Sequence, residues 1–292
     1  MKLTDEQIAL LPSDDDVAFY NEHGWWISPP ILSEEEIDNA AYGAERYYMG
    51  ERDSPLLVET GRDWTEEDGD VLRQNDYVSL QMDELRELVE NPILSAIAAR
   101  LSGASEIRLF HDQLIYKPAG AEPATNIVGW HTDISYWKTC SSTSMLTAWI
   151  PFQDLSEDMG PLVVLDRSFR WQGNDELKSF HQSDLAALEQ RIETGGDAME
   201  MVPMVMRKGQ VSFHHCRTVH ASYPNTSHTP RLAFAIHMQD GANHFQVRHD
   251  PTTGKTATHI NDILVRKDAA GHPDYADEEI CPLLWSGEAS SR

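Results

Sequence analysis

Cysteine is scarce in this sequence. The three cysteines, Cys140, Cys216 and Cys281, are far apart along the 292 residues. An odd number at such spacing does not indicate a disulfide framework, and no Cys-x-x-Cys pair offers the usual ligands of a structural zinc ion. Because disulfides persist mainly in oxidising compartments, this content favours a reducing one, and we expect a cytoplasmic protein.

Long apolar runs and basic residues are lacking as well. No stretch of about 18 apolar residues occurs, so we expect neither a membrane span nor a signal peptide. The 23 Lys and Arg residues stand against 48 Asp and Glu, a formal net charge of −25. So acidic a chain is a poor partner for nucleic acid or an anionic membrane. Two interpretations of this charge stay open: it attracts a cationic small molecule, or it serves only to keep the protein soluble.

Helix signals dominate the first hundred residues. Thr4 and Ser33 each stand three residues before a Gln or Glu, which is the capping-box pattern of a helix start. The second box predicts a helix over Glu34–Met49, and a further helix is predicted over Asn91–Leu101, with proline in its first turn. Gly24–Ser28 reads as a short strand. Residues 50–80 read as a long loop, with a strand predicted over Tyr77–Gln81.

From about residue 106 the hydrophobic period changes from 3.6 to 2, which indicates strands. Besides the stretch around His131, the strands are predicted at Ile107–Tyr116, Met145–Ile150, Leu162–Leu165, Met199–Met206, Gln210–Phe213 and Arg231–Gln239. A helix over Ser183–Ile192 connects two of them. Helices followed by many short strands predict one α+β domain over residues 1–292, with a double-stranded β-helix core of the jelly-roll or cupin kind and helices packed on one sheet. Residues 1–105 form its helical part, 106–240 its core, and 241–292 a C-terminal loop and tail.

His131 and Asp133 lie two residues apart in a strand-like stretch, Gly129–Trp137. Side chains at that spacing on a strand point to the same face. An imidazole and a carboxylate are two of the three ligands in the 2-His-1-carboxylate triad, which binds non-haem Fe(II) and leaves positions open. The pair alone also fits an ordinary solvated strand end, so a third ligand is needed to decide.

A second stretch, Gly209–Ser227, carries several histidines and is followed by Pro230-Arg231. Together with Gly-Trp-His-Thr-Asp upstream, it resembles the phytanoyl-CoA dioxygenase family of Fe(II)/2-oxoglutarate oxygenases over roughly residues 106–240. The resemblance implies that His220 is the third iron ligand, and that Arg231 pairs with the distal carboxylate of 2-oxoglutarate. A planar guanidinium suits that carboxylate because it can donate two parallel hydrogen bonds.

The resemblance also implies three further contacts to 2-oxoglutarate. Trp149 and Gln113 lie eighteen residues after and before His131, where family members line the cosubstrate. The Ser222 hydroxyl can reach the same carboxylate if the segment after His220 is extended. Among the other histidines, which total 13 with the ligands, His214 or His215 is a candidate to donate to a metal-bound carboxylate.

The implied activity uses Fe(II), 2-oxoglutarate and O2 to hydroxylate a small-molecule metabolite. An intact Asp133 argues against the related iron halogenases, in which a small residue replaces the carboxylate. Desaturation, cyclisation and epimerisation need the same iron site and stay open. Two alternatives lie outside this class: a non-catalytic jelly roll that binds a ligand, and a zinc hydrolase with the same three ligands, which gives Arg231 no role.

Candidate substrate-facing residues are Tyr136, Trp137 and Asp76, and the stretches Arg73–Tyr77 and Ala242–His249 are further candidates. No cluster of basic residues is visible along the sequence to meet the phosphates of a coenzyme A thioester. We therefore expect a natural-product metabolite, with cationic, amine-bearing ones among the candidates, and a protein that is a monomer or homodimer.

Overall fold

The computed structural model describes residues 2–56, 58, 64–120, 126–179, 182, 184–249 and 254–287. The α-helices within these ranges are α1 Asp5–Ala9, α2 Asp14–His23, α3 Glu34–Tyr48, α4 Asp83–Val89, α5 Pro92–Ser102, α6 Leu185–Glu189 and α7 Asn261–Leu264. The strands are β1 Trp25–Ile27, β2 Arg73–Asp76, β3 Glu106–Lys117, β4 Val128–His131, β5 Leu146–Pro151, β6 Leu162–Leu165, β7 Met201–Pro203, β8 Ser212–His215, β9 His220–Ser222, β10 Arg231–Asp240 and β11 Leu283–Ser286.

These strands form two antiparallel sheets. The larger has the order β1–β8–β5–β10–β3, and β2 and β11 pair with different parts of the free edge of β3. The smaller has the order β4–β9–β6–β7. The sheets face each other across a hydrophobic cluster in which Ile115 and Trp149 of the larger sheet pack with Leu162 and Val164 of the smaller. The predicted double-stranded β-helix is therefore confirmed.

Helices cover the outer face of the larger sheet, as predicted. Leu114, Ile150 and Phe234 point outward and are buried in one cluster with Ile37 of α3 and Leu94 of α5. Because successive side chains on a strand point to opposite faces, their neighbours along β3, β5 and β10 point inward, between the sheets. Those inward rows form the wall of the site described below.

The capping signals place the helix starts correctly. Ser33 Oγ accepts a hydrogen bond from the backbone N–H of Glu36, whose carboxylate accepts one from the N–H of Ser33. α3 ends one residue before the predicted Met49. α5 ends at Ser102 and is capped by Gly103, whose φ of 71° lies in the left-handed region that glycine adopts without strain.

The strand predicted over Tyr77–Gln81 is wrong, because the strand ends at Asp76 and the chain then turns. Tyr77 has a φ of 57°. The turn wraps around the buried carboxylate of Asp112, which accepts hydrogen bonds from the N–H of Val78 at 2.7 Å and from the hydroxyl of Ser79 at 2.6 Å. The helix α4 that follows this turn was not predicted.

Several other elements differ from the sequence prediction, among them the strand predicted at Gln210–Phe213, which is β8 Ser212–His215. The helix predicted over Ser183–Ile192 is only the five residues of α6, with the Asp184 side chain capping its first turn; Ser183 lies outside the described residues. Only Met201–Pro203 of the stretch Met199–Met206 pairs as a strand. The expected C-terminal loop and tail adds β11 and α7, so it is part of the packed fold. The assignment of all 292 residues to one domain stays a prediction.

Candidate active site

His131, Asp133 and His220 come together in a cavity of about 450 Å³ between the two sheets. The pairing of β4 with β9 sets His131 directly opposite His220. Asp133 Oδ1 lies 3.9 Å from His131 Nε2 and 3.5 Å from His220 Nε2. One potential ligand atom from each of the three buried residues lies within 4.8 Å of the others.

Asp133 reaches this position by a turn and not by the strand that the sequence suggested. β4 ends at His131, and Asp133 begins a short 3₁₀ turn, Asp133–Ser135. The Ser135 hydroxyl closes this turn by donating to the carbonyl of Thr132 at 2.6 Å. The prediction that the two side chains share a strand face is therefore wrong, although both reach one point.

Hydrogen bonds set the imidazoles in the form that binds a metal. His131 Nδ1 lies 2.7 Å from the carbonyl oxygen of Gly129, and His220 Nδ1 lies 2.8 Å from that of Thr218. A carbonyl only accepts, so each Nδ1 carries the proton and each Nε2 keeps its lone pair free. Burial lowers the pKa of His220 well below its ordinary value, which keeps this ring neutral.

The second oxygen of Asp133 is turned away from these two rings. Asp133 Oδ2 accepts a hydrogen bond of 2.6 Å from the Thr147 hydroxyl, and His214 Nε2 lies 3.4 Å from the same oxygen. Burial opposes ionisation here, but the nearby imidazoles, His220 first, hold the pKa of Asp133 well below its ordinary value. The site therefore presents a carboxylate at Asp133 and a neutral imidazole at His220, the protonation states that metal binding requires.

Arg231 lies on the wall of the same cavity with only 1 % of its surface exposed. Its Nε and Nη1 are buried, and neither has a hydrogen-bond partner among the described residues. The guanidinium carbon lies 5.2 Å from the ring centre of Trp149, and Ser222 lines the same cavity. Burial lowers the pKa of Arg231 to about 9. A buried cation without a carboxylate partner is costly, so this geometry suits an anionic ligand.

A second buried cation stands beside Arg231. Lys117 pairs with Arg231 across β3 and β10 and is fully buried. Its Nζ donates to the carbonyl oxygen of Ser222 at 3.1 Å and to that of Tyr223. Burial, with Arg231 next to it, lowers the pKa of Lys117 well below its ordinary value. Lys117 thus ties β3 to the end of β9, the strand that begins with His220.

Gln113 lies on the cavity wall, but its amide points away from the Arg231 end. Gln113 Nε2 donates to Asp76 Oδ1 at 2.9 Å, and His111 Nε2 lies 3.1 Å from the same oxygen. Although burial opposes it, His111 keeps the pKa of Asp76 below its ordinary value. Asp76 therefore lines the cavity, as predicted for a substrate-facing residue, with a carboxylate whose charge His111 partly offsets.

The family is decided by comparison with known proteins. The profile of the phytanoyl-CoA dioxygenase (PhyH) family matches residues 20–233 of this chain. The chain belongs to the phytanoyl-CoA dioxygenase family. The predicted resemblance is confirmed, and with it the class of enzyme, an iron- and 2-oxoglutarate-dependent oxygenase.

Relatives and solved structures agree with this assignment. The peroxisomal phytanoyl-CoA dioxygenase of Bos taurus is 24 % identical over 242 residues, which are 78 % of this chain and 68 % of the relative. The non-heme alpha ketoglutarate dependent carbocyclase SnoK from nogalamycin biosynthesis is 26 % identical, with a TM-score of 0.62 over 80 % of this chain and 87 % of SnoK. The epimerase SnoN, solved in complex with Fe3+, alpha ketoglutarate and nogalamycin RO, is 23 % identical, with a TM-score of 0.65 over 93 % of this chain and 98 % of SnoN.

Two aromatic residues predicted to face the substrate do lie on the cavity wall of this phytanoyl-CoA dioxygenase family member. The ring of Tyr136 meets that of His131 edge-on, with 5.9 Å between the ring centres. Trp137 is buried against Phe110 and Cys140, and its ring centre lies 5.1 Å from that of His237. Trp137 therefore packs the core as well as lining the cavity.

The remaining histidines divide between the cavity and the periphery. His214 and His237 line the cavity close to Asp133, and His111 lines it further from Asp133. Of the two adjacent candidates, only His214 approaches the Asp133 carboxylate, while His215 packs against Phe169. The alternation of β3 and β10 is the signal that could have found His111 and His237.

Part of the cavity wall comes from beyond the matched family region. Thr258, His259 and Ile260 line it, and the following residue, Asn261, is fully buried. Asn261 Oδ1 accepts a hydrogen bond of 2.6 Å from the hydroxyl of Tyr77. No sequence signal marked these residues, because the contacts join segments about 180 residues apart.

A second cavity, of about 540 Å³, shares Tyr136, Trp137, Lys178 and Thr258 with the first. Its basic lining residues are Lys138, Lys178, Arg248 and Lys255. Although no basic cluster is visible along the sequence, the fold gathers these four residues from three distant stretches. Two acidic residues share this wall and reduce its positive charge: Asp175 and Glu176, the latter paired with Lys138.

Among the described residues, no helix has both the length and the apolar composition needed to cross a membrane.

Proposed function

We propose that this protein uses Fe(II) and 2-oxoglutarate to oxidise a small-molecule metabolite, with His131, Asp133 and His220 as the iron ligands. One observation carries the proposal. The buried guanidinium of Arg231, whose Nε and Nη1 have no hydrogen-bond partner among the described residues, lines the same cavity as a metal-ligating set of two imidazoles and a carboxylate. A cavity that only bound iron would not need that cation.

The donor set fits Fe(II). Two neutral imidazoles and one carboxylate are the ligands of the 2-His-1-carboxylate site, which leaves open positions for small molecules. The solved complex of SnoN, which holds Fe3+ and alpha ketoglutarate in the same fold, supports the same pair of cofactors here. A zinc hydrolase using the three ligands would leave Arg231 buried without a function.

The cosubstrate is proposed to lie toward Arg231. Its distal carboxylate would accept two parallel hydrogen bonds from the guanidinium, with the Ser222 hydroxyl beside it and Trp149 along its length. The three residues line one part of the cavity. Lys117, behind Arg231, holds the backbone of Ser222 and so keeps that hydroxyl in reach.

Bound iron and 2-oxoglutarate supply the oxidising power that removes hydrogen from an unactivated carbon. The protein itself positions the reactants, surrounds them with charged groups and excludes water. His131, Asp133 and His220 are each less than a tenth exposed, so water is kept from the reacting centre, and electrostatic contacts there are stronger than in water. The space left for the substrate is lined by Tyr136, which lies beside His131, and by His237 and His111 further along the wall.

The substrate is proposed to be a polar metabolite of natural-product metabolism. The wall away from Arg231 carries Asp76, His111 and His259, groups that bind hydroxyls or amines. Asp76 supports an amine, whereas the basic side chains of the adjoining cavity support an anionic group as the second candidate. Exchange of Asp76 or Lys178 distinguishes the two, as set out in the Discussion.

Hydroxylation is the proposed reaction, because the carboxylate ligand Asp133 is present. The similar structures named carbocyclase and epimerase make cyclisation and epimerisation the alternatives, with desaturation beside them. The products differ in mass: hydroxylation adds one oxygen atom, cyclisation and desaturation each remove two hydrogens, and epimerisation leaves the mass unchanged. Mass spectrometry of the product therefore decides among most of these.

The test is succinate formation by the purified protein with 2-oxoglutarate, O2 and a metabolite panel. We expect succinate to require Fe(II), to rise with one class of metabolite, and to disappear when Zn(II) replaces Fe(II). Turnover of a metabolite with Zn(II) and without 2-oxoglutarate would indicate a hydrolase. Ligand binding without any succinate would indicate a non-catalytic jelly roll.

We also propose a cytoplasmic location and a monomer or homodimer that binds neither nucleic acid nor membrane. The net charge of −25 and three buried free cysteines support this. The relative from Bos taurus is named as peroxisomal, so fluorescence microscopy of the tagged protein is the direct test of location. Light scattering on the purified protein gives the oligomeric state.

A further inference from the structure

Four inward-facing side chains form a single row across the larger sheet, beneath Asp133. Register pairs join them on adjacent strands: His214 on β8 with Thr147 on β5, Thr147 with His237 on β10, and His237 with His111 on β3. All four line the cavity. Thr147 is the member that touches the carboxylate, and a histidine flanks it on either side.

The direction of each hydrogen bond in this row follows from counting protons. An ionised carboxylate only accepts, so the single hydroxyl proton of Thr147 is donated to Asp133 Oδ2, 2.6 Å away. The Thr147 oxygen is then left as an acceptor. His237 Nδ1, 2.7 Å from it, must therefore carry its proton and donate it to Thr147.

This chain of donors acts on one oxygen of Asp133 only. Oδ2 receives the Thr147 hydroxyl and lies 3.4 Å from His214 Nε2, whereas Oδ1 faces the two candidate ligand imidazoles. A carboxylate that is held in this way offers one oxygen to a metal. If both oxygens bound iron, the carboxylate would occupy one of the positions that the facial triad leaves open.

We propose that Thr147 is a positioning residue, oriented by His237, that fixes Asp133 as a one-oxygen ligand to iron. The inference rests on the proposed iron site and adds to it two residues that touch neither the metal nor the cosubstrate. Residues that orient metal ligands by hydrogen bonds typically contribute 10- to 100-fold to metal affinity, which sets the expected effect.

Metal binding by the metal-free protein tests this without any substrate. Fe(II) under anaerobic conditions and Co(II) are titrated by calorimetry, and the Co(II) absorption spectrum reports the coordination geometry. Thr147→Val removes the hydroxyl but keeps the shape, and Thr147→Ser restores it. His237→Leu removes the donor to Thr147, whereas His237→Asn keeps an amide N–H close to the position of Nδ1.

The matched control is Thr139→Val. Thr139 is fully buried and lies outside the residues that line the cavity. The Tyr275 hydroxyl donates its proton to Asp262 Oδ1, so the Thr139 hydroxyl, 2.7 Å from the Tyr275 oxygen, is the donor in that contact. The Thr139→Val variant loses a buried hydrogen bond of the same kind, so it reports the effect on metal affinity of a purely structural change. Thermal unfolding of every metal-free variant confirms that the compared samples are folded.

We expect Thr147→Val to lower the affinity for both metals about 10- to 100-fold and to alter the Co(II) spectrum. The affinities of Thr147→Ser should remain within a few-fold of wild type. His237→Leu is expected to have a smaller effect than Thr147→Val, since Thr147 still donates, and His237→Asn a smaller effect still. Thr139→Val should leave affinity unchanged. Wild-type affinity in Thr147→Val, or equal losses in Thr147→Val and Thr147→Ser, overturns the inference. A wild-type protein that binds neither metal overturns the proposed function instead.

Discussion

Removing the guanidinium of Arg231 is expected to act on 2-oxoglutarate and almost nowhere else. Arg231→Ala leaves the cosubstrate carboxylate buried without its partner. Truncating one member of a buried, hydrogen-bonded charge pair costs about 2–5 kcal/mol, which corresponds to roughly 30-fold to several-thousand-fold in affinity. The KM for 2-oxoglutarate should rise by that factor, while the KM for the metabolite stays nearly constant.

The lysine variant separates charge from shape. Arg231→Lys keeps a cation, but an ammonium cannot donate two parallel hydrogen bonds to one carboxylate. We expect a KM for 2-oxoglutarate between those of wild type and Arg231→Ala. Both constants are read from initial rates of succinate formation, with one component varied while the other is saturating.

Stability provides an independent check. Nε and Nη1 of Arg231 have no partner among the described residues, so Arg231→Met removes a buried charge without breaking a hydrogen bond between them and the protein. Without 2-oxoglutarate, this variant should unfold at no lower temperature than wild type. With Fe(II) and 2-oxoglutarate at about 100 times Kd, wild type should gain about 2.7 kcal/mol, and the variant much less.

Two results would refute this reasoning. Unchanged 2-oxoglutarate dependence in both Arg231→Ala and Arg231→Lys would place the carboxylate anchor elsewhere in the cavity. A large loss of stability in Arg231→Met without cosubstrate would show that the guanidinium has a structural partner, and the argument from an unsatisfied cation would fail.

Four further predictions follow from the same contacts. Asp133→Ala should lose iron and turnover together; stoichiometric iron with wild-type succinate formation would contradict the assigned ligands. Tyr77→Phe should cost about 1–3 kcal/mol in urea unfolding, because a buried amide oxygen loses its donor; an unchanged midpoint and slope would mean that this contact is not formed. For Lys117, the native pKa lies below the unfolded value of about 10.4, so the unfolded chain binds more protons between those values, and stability rises with pH there. Relative to wild type, Lys117→Met should therefore be more stable at pH 7 than at pH 10, whatever the constant cost of the two hydrogen bonds it loses, and a difference that does not change with pH would refute the lowered pKa. For a cationic substrate, kcat/KM should fall as salt rises at saturating 2-oxoglutarate, with kcat nearly constant, and Asp76→Asn should flatten this slope; a flat or rising wild-type slope excludes the cation. For an anionic substrate held by Lys178, Lys178→Gln should lower kcat/KM, most strongly at low salt.

Local patterns were enough to predict much of the fold and the metal set. Capping boxes placed the start of α3, and the period-2 alternation placed the long strands, because both signals act between residues close in sequence. His131, Asp133, His220 and Arg231 were found from spacing and resemblance. The structure brings these four to one cavity, while their roles stay predictions for the experiments above.

The features that the sequence did not reveal depend on contacts between distant segments. The turn after Asp76 forms around Asp112, a buried carboxylate more than 30 residues away. His259 reaches the cavity from a region read as a tail. The second cavity gathers its basic residues from separate stretches, so no count along the chain could have found it.

The order of the site along the sheet is set by the register of one strand pair. On the inward faces of β3 and β10, Lys117 pairs with Arg231 and, six residues along β3, His111 pairs with His237. Six residues of strand span about 20 Å, so the cationic end and the imidazole end are separated by most of the cavity. Between the two ends, the inward-facing pairs are Ile115 with Ala233 and Gln113 with Ala235.

This arrangement makes the two ends separable. A slip of one residue would turn both ends outward together, so the register is under strong constraint. Once the register is fixed, however, each end can change alone. Substitution of His111 or Asp76 should therefore change which metabolite is accepted while the KM for 2-oxoglutarate is unchanged, because Arg231 lies at the opposite end of the same strands. By this reasoning, members that share the Arg231 end can differ in substrate through a few residues at the His111 end.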